Sequence, residues 1–487
     1  MPRRAQHART LSLLAASSFA ALAAQDPPRP AAPVPELPDA GTLSGLKLRA
    51  LGPALSSGRI SDIAVDPADS SRWFVGVASG GVWRTDNHGA TFTPVFDDQG
   101  SYSIGCVAID PNNRHVVWVG TGENNSQRSV SFGDGVYKSV DGGQSWRRMG
   151  LEDSEHIGRI AIDPTDGNVV YVAAQGPLWR AGEQRGLYKT TDGGETWTRV
   201  LHVSEHTGIN EVHLDPRDPR VLWASAYQRR RHVWTLVNGG PESAIYKSTD
   251  GGATWRKVTR GLPAVDLGRI GLAVSPANPD VLYAIVEAQR GQGGVFRSTD
   301  RGESWSKQSG KVSSSPQYYN ELVCDPLDPD VVYCLDTFTT VSRDGGRTWT
   351  TLGNLHRHVD DHALWIDPAN TRHILIGGDG GLYESWDAGA HWVFFSNLPV
   401  TQFYRVSTDQ ARPFYNVYGG TQDNNSMGGP SRTTRLGGIT NDDWFVTVTG
   451  DGYEVQVDPE DENIVYTQYQ YGGLMRLDRR SGELVDI

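Results

Sequence analysis

Cysteine and methionine are scarce, three and four among 487 residues. Three cysteines cannot all pair, and no Cys-x-x-Cys or Cys/His spacing is present. A disulfide-stapled miniature domain and a structural zinc site are therefore not indicated. Cys324 and Cys334 flank the segment DPLDPD, so they either bridge a hairpin or sit separately as small core residues. Positive charge is also short. Forty-five Lys and Arg face 57 Asp and Glu, for a formal charge of -12, which excludes a general nucleic-acid binder and a polybasic membrane-surface protein. Beyond the first 24 residues no apolar run approaches the roughly 18 residues that a spanning helix needs. Phosphate-cradling P-loop and nucleophile-elbow sequences are missing too. What is abundant is glycine, 56 residues, and tryptophan, 15 residues, in a chain that is 38% hydrophobic and 21% charged. Such a chain can build a packed core and is neither wholly disordered nor a coiled coil.

The first residues, MPRRAQHAR, carry three arginines and no acid, and TLSLLAASSFAALAA follows as a short apolar stretch ending in small residues. This is the layout of a signal peptide over 1–24, which implies a secreted or periplasmic protein. No cysteine follows it to carry a lipid anchor. Residues 25–42 are proline-rich and expected to be an extended linker.

The rest of the chain repeats itself. A motif of the form S/T-x-D-x-G-x-x-W centres on Asp86, Asp141, Asp192, Asp250, Asp300, Asp344 and Asp387, at spacings of 43 to 58 residues. Before each copy stands a strand, an Asp-Pro turn and a second strand, as in IAIDPTDGNVVYVAA. Each motif has a local reason. The Asp carboxylate accepts amides of its own turn, the Gly takes a left-handed conformation, and the Trp packs between neighbouring sheets. Each unit thus reads as four short antiparallel strands, A to D, with A–B turning at Asp-Pro and C–D at the aspartate motif. Units of this kind repeating every 40 to 60 residues are expected to be blades of an all-β propeller.

The motif resembles the Asp-box, or BNR repeat, of sialidases, sortilin-type receptors and tandem-propeller xyloglucanases. The layout, including HVDDHALWIDP and GTQDNNSMGGPSR, resembles large secreted bacterial proteins described as sortilin-like or glycosyl-hydrolase-like. Residues 43–400 are expected to form a seven-bladed propeller. Residues 401–487 hold two further units, the start of a second propeller whose remainder is missing from this chain; the alternative is one larger ring of nine to ten blades. The box aspartates are expected to be structural, so a site belongs on the opposite face, where the B–C and D–A loops emerge.

Candidate ligand-binding residues on those loops are Glu123, Asn124 and Arg128 in GENNSQRSVSFGD, and Arg229, Arg231 and Trp234 in YQRRRHVW. Arg159 is expected at the central channel, and His358, Asp360, Asp361 and His362 in HRHVDDH as a hydrogen-bonded channel cluster, because alternation along a strand separates neighbouring ligands. The resemblance to sialidases implies an arginine-isoleucine-proline signature, and the SGRIS segment around Arg59 lacks it. The resemblance to xyloglucanases implies two carboxylates, one from each propeller. The first should precede a Gly-Gly-x-aromatic strand, where VASGGVWRT has Ala78. Asp423 in GTQDNNS, Asp134 and Glu123 remain as weak catalytic candidates. The leading expectation is a non-catalytic binding or scaffold module for a glycan or extended peptide, with no cofactor, no metal and no nucleic-acid partner. The rivals are a glycoside hydrolase acting across a two-propeller cleft and an assembly or chaperone-like factor for a membrane complex.

Overall fold

A computed structural model describes residues 40–46, 48–56 and 58–487; the expected signal peptide and most of the linker lie outside them. The chain divides into two compact units, Met1–Ala50 and Leu51–Ile487. In the first, Ala40–Leu43 forms one helical turn, where the linker was expected to be extended. The Ser44 amide and hydroxyl both donate back to the Gly41 carbonyl and close that turn.

The second unit contains nine antiparallel four-stranded sheets, at 60–94, 104–148, 157–201, 207–258, 267–309, 321–351, 361–394, 405–448 and 455–486. Each runs A–B–C–D in chain order. The fourth carries one more strand, because Asp218–His232 overshoots its sheet and pairs at its far end with Thr235–Asn238 in a projecting hairpin.

The turns form where the sequence places them. At A–B the aspartate accepts the amide two residues on, as Asp66 does from Ala68 (2.9 Å) and Asp110 from Asn112 (2.8 Å). At C–D the box closes on itself. Asp250 accepts the Ser248 hydroxyl at 2.8 Å and the Thr254 amide at 2.9 Å, while Gly251 takes φ 72°. The box tryptophans reach the preceding sheet, Trp146 donating to the Val95 carbonyl and Trp197 to that of Met149. In the first sheet the box position is Asn87, not Asp86. Asn87 Oδ1 accepts the Thr85 hydroxyl and the Thr91 amide, whereas Asp86 pairs outward with Arg84 and Arg72. A carboxamide oxygen fills the same two-acceptor role, so a search for aspartate alone slips by one residue.

The B strands are continuous apolar runs because they are covered on both faces; Trp73, Trp118 and Trp223 are fully buried there. Apolar clusters join each of the first six sheets to the next. The seventh then packs back on the first, through Ile60, Trp73 and Val75 against Leu375, Leu382 and Phe395. The eighth and ninth sheets share a smaller core of Tyr418, Val455 and Val465. Cys324 and Cys334 are buried free thiols. They lie on adjacent strands out of register, Cys324 opposite Val332 and Cys334 opposite Leu322, so the hairpin disulfide is replaced by core packing. No helix among the described residues is long and apolar enough to cross a membrane.

Candidate functional site

B–C loops and D–A connections converge where the first, seventh and eighth sheets meet, around a cavity of about 330 Å³. Arg59 enters it from the connection leading to the first sheet. It donates to Asp379 at 2.5 and 3.1 Å and to Glu123 at 2.5 Å, and it lies over the Tyr318 ring. Asp379 stands in the B–C turn of the seventh sheet. It also accepts the Tyr318 hydroxyl at 2.8 Å, and His362 Nε2 lies 3.0 Å from it. Burial works against its charge, but Arg59 and His362 outweigh burial and hold this carboxyl well below the usual range.

Asp423, in the B–C turn of the eighth sheet, faces it. Its backbone is left-handed at φ 61°, its amide donates to Asp451 at 2.7 Å, and Asn424 beside it donates to the Asp379 carbonyl at 2.7 Å. The Asp423 carboxyl lines the same cavity as Asp379. Burial first, then the charge of Asp379, pushes it up to about 8. The cavity therefore presents two carboxyls paired with Arg59, those of Asp379 and Glu123, and the raised carboxyl of Asp423, with Gln402, Gln422 and Asn424 around them.

Of the residues singled out from sequence, Glu123, His362 and Asp423 meet here. Asp379 was missed: in GDGGLY the acid stands directly before Gly-Gly-x-aromatic, one residue nearer than Ala78 does in ASGGVW, and only the backbone relates the two, the Asp379 amide donating to the Asp360 carbonyl as that of Ala78 does to Arg59. Ala78 itself lines the cavity.

The other candidates are placed elsewhere. Residues 121–126 form a plug over the channel mouth. Asn124 contacts Gly158, Gln175, Arg269 and Glu321, and the Ser126 amide donates to the Gln317 carbonyl. Arg229 is buried and holds that plug through the Asn125 carbonyl (2.7 Å) and the Ser126 hydroxyl (3.1 Å), and Arg231 donates to the Ser126 carbonyl. The expected cationic-aromatic ligand group is thus a structural clamp, because the blade-two loop needs donors for its inward carbonyls. Only Trp234 stays exposed, stacked on His232. Arg159 faces the channel beside Asp62, Glu211 and Glu321. HRHVDDH does not converge: His358 bonds its neighbour's carbonyl, Asp360 takes the Tyr319 hydroxyl, and Asp361 pairs with Arg357. Among the described residues no group of His, Cys, Asp and Glu is arranged to hold a metal ion. Asp134 lies outside the cavity of Asp423, accepting the Tyr137 hydroxyl at 2.6 Å. Arg128 is exposed.

Comparisons with known proteins bear on the fold. The Sortilin-Vps10 family (sortilin, neurotensin receptor 3) matches residues 134–262 and 243–361. The chain is a β-propeller that is similar to the sortilin family over residues 134–361. This propeller is similar in structure to a xyloglucanase from Xanthomonas campestris, with 17% identity, a TM-score of 0.59, and coverage of 90% of this chain and 74% of that one. In sequence it is 26% identical over 220 residues to a xyloglucanase of Acetivibrio thermocellus, across 40% of this chain and 25% of that protein. It is 30% identical over 138 residues to the photosystem II assembly lipoprotein Ycf48 of a Synechococcus species, across 28% of this chain and 34% of that protein. The matched part thus spans about a quarter to a third of these curated relatives.

Proposed function

We propose that this is an exported propeller that binds a neutral glycan in the cavity between the first, seventh and eighth sheets, without cleaving it. We further propose that residues 43–400 are a seven-bladed ring and 401–487 the start of a second propeller, so that the cavity sits on their seam. The observation that carries the reading is that Asp379, which lines the cavity with Asp423, is already engaged by Arg59, Tyr318 and His362. A glycosidic bond must fit between two catalytic carboxyls about 5 to 9.5 Å apart. Here Asp379, one of the carboxyls in the cavity, is taken up by Arg59, Tyr318 and His362 instead of facing open space. A base so engaged is a poor proton acceptor, but the assembly is well suited to holding hydroxyls: the Asp423 carboxyl and side-chain amides donate, and carboxylate oxygens accept. Net negative charge around Arg59 disfavours anionic polymers.

One observation favours a second reading, glycoside hydrolysis. Asp379 precedes a Gly-Gly-x-aromatic strand, as the xyloglucanase acid is implied to do, although in the seventh sheet and not the first, and Asp423 lines the same cavity. The assembly-factor reading rests on the partial likeness to Ycf48 alone. The test is a binding panel on the full chain with neutral hexasaccharides (cello-, manno- and xylohexaose), polygalacturonate and an unrelated extended peptide. Saturable binding of a neutral hexasaccharide, lost in Asp423→Ala, is expected. Preference for peptide or polyanion overturns the proposal. Shortened sugars that disappear with Asp423→Ala establish the hydrolase instead.

A further inference from the structure

The hairpin of the fourth sheet has an uncovered edge. The strand Asp218–His232 runs past the sheet, turns at Val233 and Trp234, and returns as Thr235–Asn238. That short strand pairs with Asp218–His232 and with no other strand. The register sets Arg229 opposite Asn238 and Arg231 opposite Leu236. The amides of Arg229 and Arg231 point out of the hairpin, donating to the His206 carbonyl at 3.3 Å and the Leu178 carbonyl at 2.9 Å. In an antiparallel pair, residues directly opposite each other exchange both bonds or turn both sets of groups outward. Leu236 and Asn238 therefore direct their backbone N–H and C=O groups away from the hairpin on its far side. Among the described residues no hydrogen-bond partner meets them there. Sheets usually blunt such an edge with lysine, proline or a bulge, and Thr-Leu-Val-Asn has none of the three.

A cavity of about 330 Å³ lies at the foot of this edge, between Val237 and Asn238 of the hairpin and Asp266, Glu287 and Gln289 beside the fifth sheet. None of the residues that line it is basic. Glu287 is engaged, accepting the Asn238 side-chain amide at 2.9 and 3.0 Å and the Arg269 backbone amide at 3.1 Å. The Asn238 bonds tie the hairpin to the fifth sheet. The Asp266 carboxylate is more open, with Gln289 Nε2 at 3.3 Å as its one donor among the described residues. The outward groups of Leu236 and Asn238 make a short ladder, so a partner must add side-chain contacts. We infer that this edge docks an extended peptide, which adds a strand along Thr235–Asn238 and sets a lysine or arginine side chain at Asp266. Backbone bonds to Leu236 and Asn238 supply affinity, and the acidic cavity selects the side chain. Trp234, 82% exposed at the turn, offers the peptide an apolar contact. A sugar chain has no N–H and C=O groups at the strand repeat and does not match the edge. The site stands on the fourth and fifth sheets and does not rest on the glycan reading of the first cavity.

The test uses the full chain and a blocked octapeptide alternating lysine with valine, followed by fluorescence anisotropy. Two further peptides are compared, one with glutamate in place of lysine and one that keeps the lysines but is N-methylated at every amide. The lysine peptide is expected to bind saturably and to be weakened about tenfold by N-methylation, which removes its strand donors. Leu236→Pro removes an outward N–H without taking a bond from the hairpin and is expected to weaken binding similarly. Asp266→Asn is expected to weaken it about fivefold. Hydrogen exchange at Leu236 and Asn238 is expected to slow with the lysine peptide, and excess cellohexaose to leave its binding unchanged. Equal binding of the N-methylated peptide, or slowed exchange confined to other segments, overturns the edge even where Leu236→Pro fails to fold. Equal binding of the glutamate peptide overturns the role of Asp266. Displacement by cellohexaose would place the peptide in the first cavity, and either that or absence of binding by the lysine peptide overturns the inference.

Discussion

At the scale of the residue, the chemistry turns on which of Asp379 and Asp423 holds a proton. Asp379 is kept ionised by Arg59 and His362, so burial and repulsion fall on Asp423, which holds its proton up to about pH 8. A ligand hydroxyl that accepts from that proton binds below this value and is released as pH rises through it. Affinity for a neutral hexasaccharide is expected to be flat from pH 5 to 7 and to fall about tenfold per unit above 8. In Asp423→Asn the amide still donates and nothing titrates, so the fall disappears; persistence of the same fall would assign the proton elsewhere. The linkage also reaches stability. An acid whose folded pKa is raised binds its proton more tightly folded than unfolded, so the wild type loses stability as pH rises from about 4 to 8, and Asp423→Asn does not. Arg59 is the counterweight. Arg59→Met leaves Asp379 and Glu123 buried without their cation and is expected to cost about 3 to 5 kcal/mol in chemical denaturation at pH 7. Part of that loss returns below pH 4 as the carboxylates protonate. Asp423 was legible from sequence as a loose acid in an irregular loop. Asp379 carried an equally visible pattern, and only the meeting of the seventh sheet with the first and eighth shows that the two belong together.

At the scale of the element, the repeat was almost entirely legible, because each turn is satisfied locally and needs no knowledge of the ring. The box aspartates illustrate it. Serine or threonine hydroxyls and turn amides lower the carboxyls of Asp141, Asp250 and Asp300 to about 2 even where burial opposes this. A depressed folded pKa stabilises above the unfolded value near 4, and the gain is lost as pH falls from 4 towards 2. Thermal unfolding followed by circular dichroism should therefore show a melting temperature that drops steeply across that window. Asn87 shows that an amide oxygen can serve in the same place. Asp300→Asn is accordingly expected to lower the melting temperature at pH 7 by less than half as much as Asp300→Ala, which loses about 1 to 2 °C. Equal losses would mean that the charge, and not the acceptor geometry, closes the turn. The loops were less legible, since their partners are remote in sequence. Arg229 reads as a solvated or ligand-binding cation until Asn125 and Ser126, a hundred residues away, are seen accepting its hydrogen bonds.

At the scale of the whole molecule, an apolar circuit runs from the first sheet through the seventh and back to the first. The eighth sheet brings Asp423 to this circuit through its Asn424 bond to the Asp379 carbonyl. Two polar cavities result, one of about 330 Å³ at the junction of the first, seventh and eighth sheets and one of about 280 Å³ among the inner strands, lined in part by Asn124 of the blade-two loop. That arrangement makes binding without cleavage the central claim, and one calorimetric titration of the full chain with cellohexaose at pH 6 tests it most directly. The account predicts a saturating isotherm whose heat returns to baseline after each injection, with the hexasaccharide recovered intact and the signal lost in Asp423→Ala. A sustained heat of turnover, with shorter sugars recovered from the cell, would contradict it.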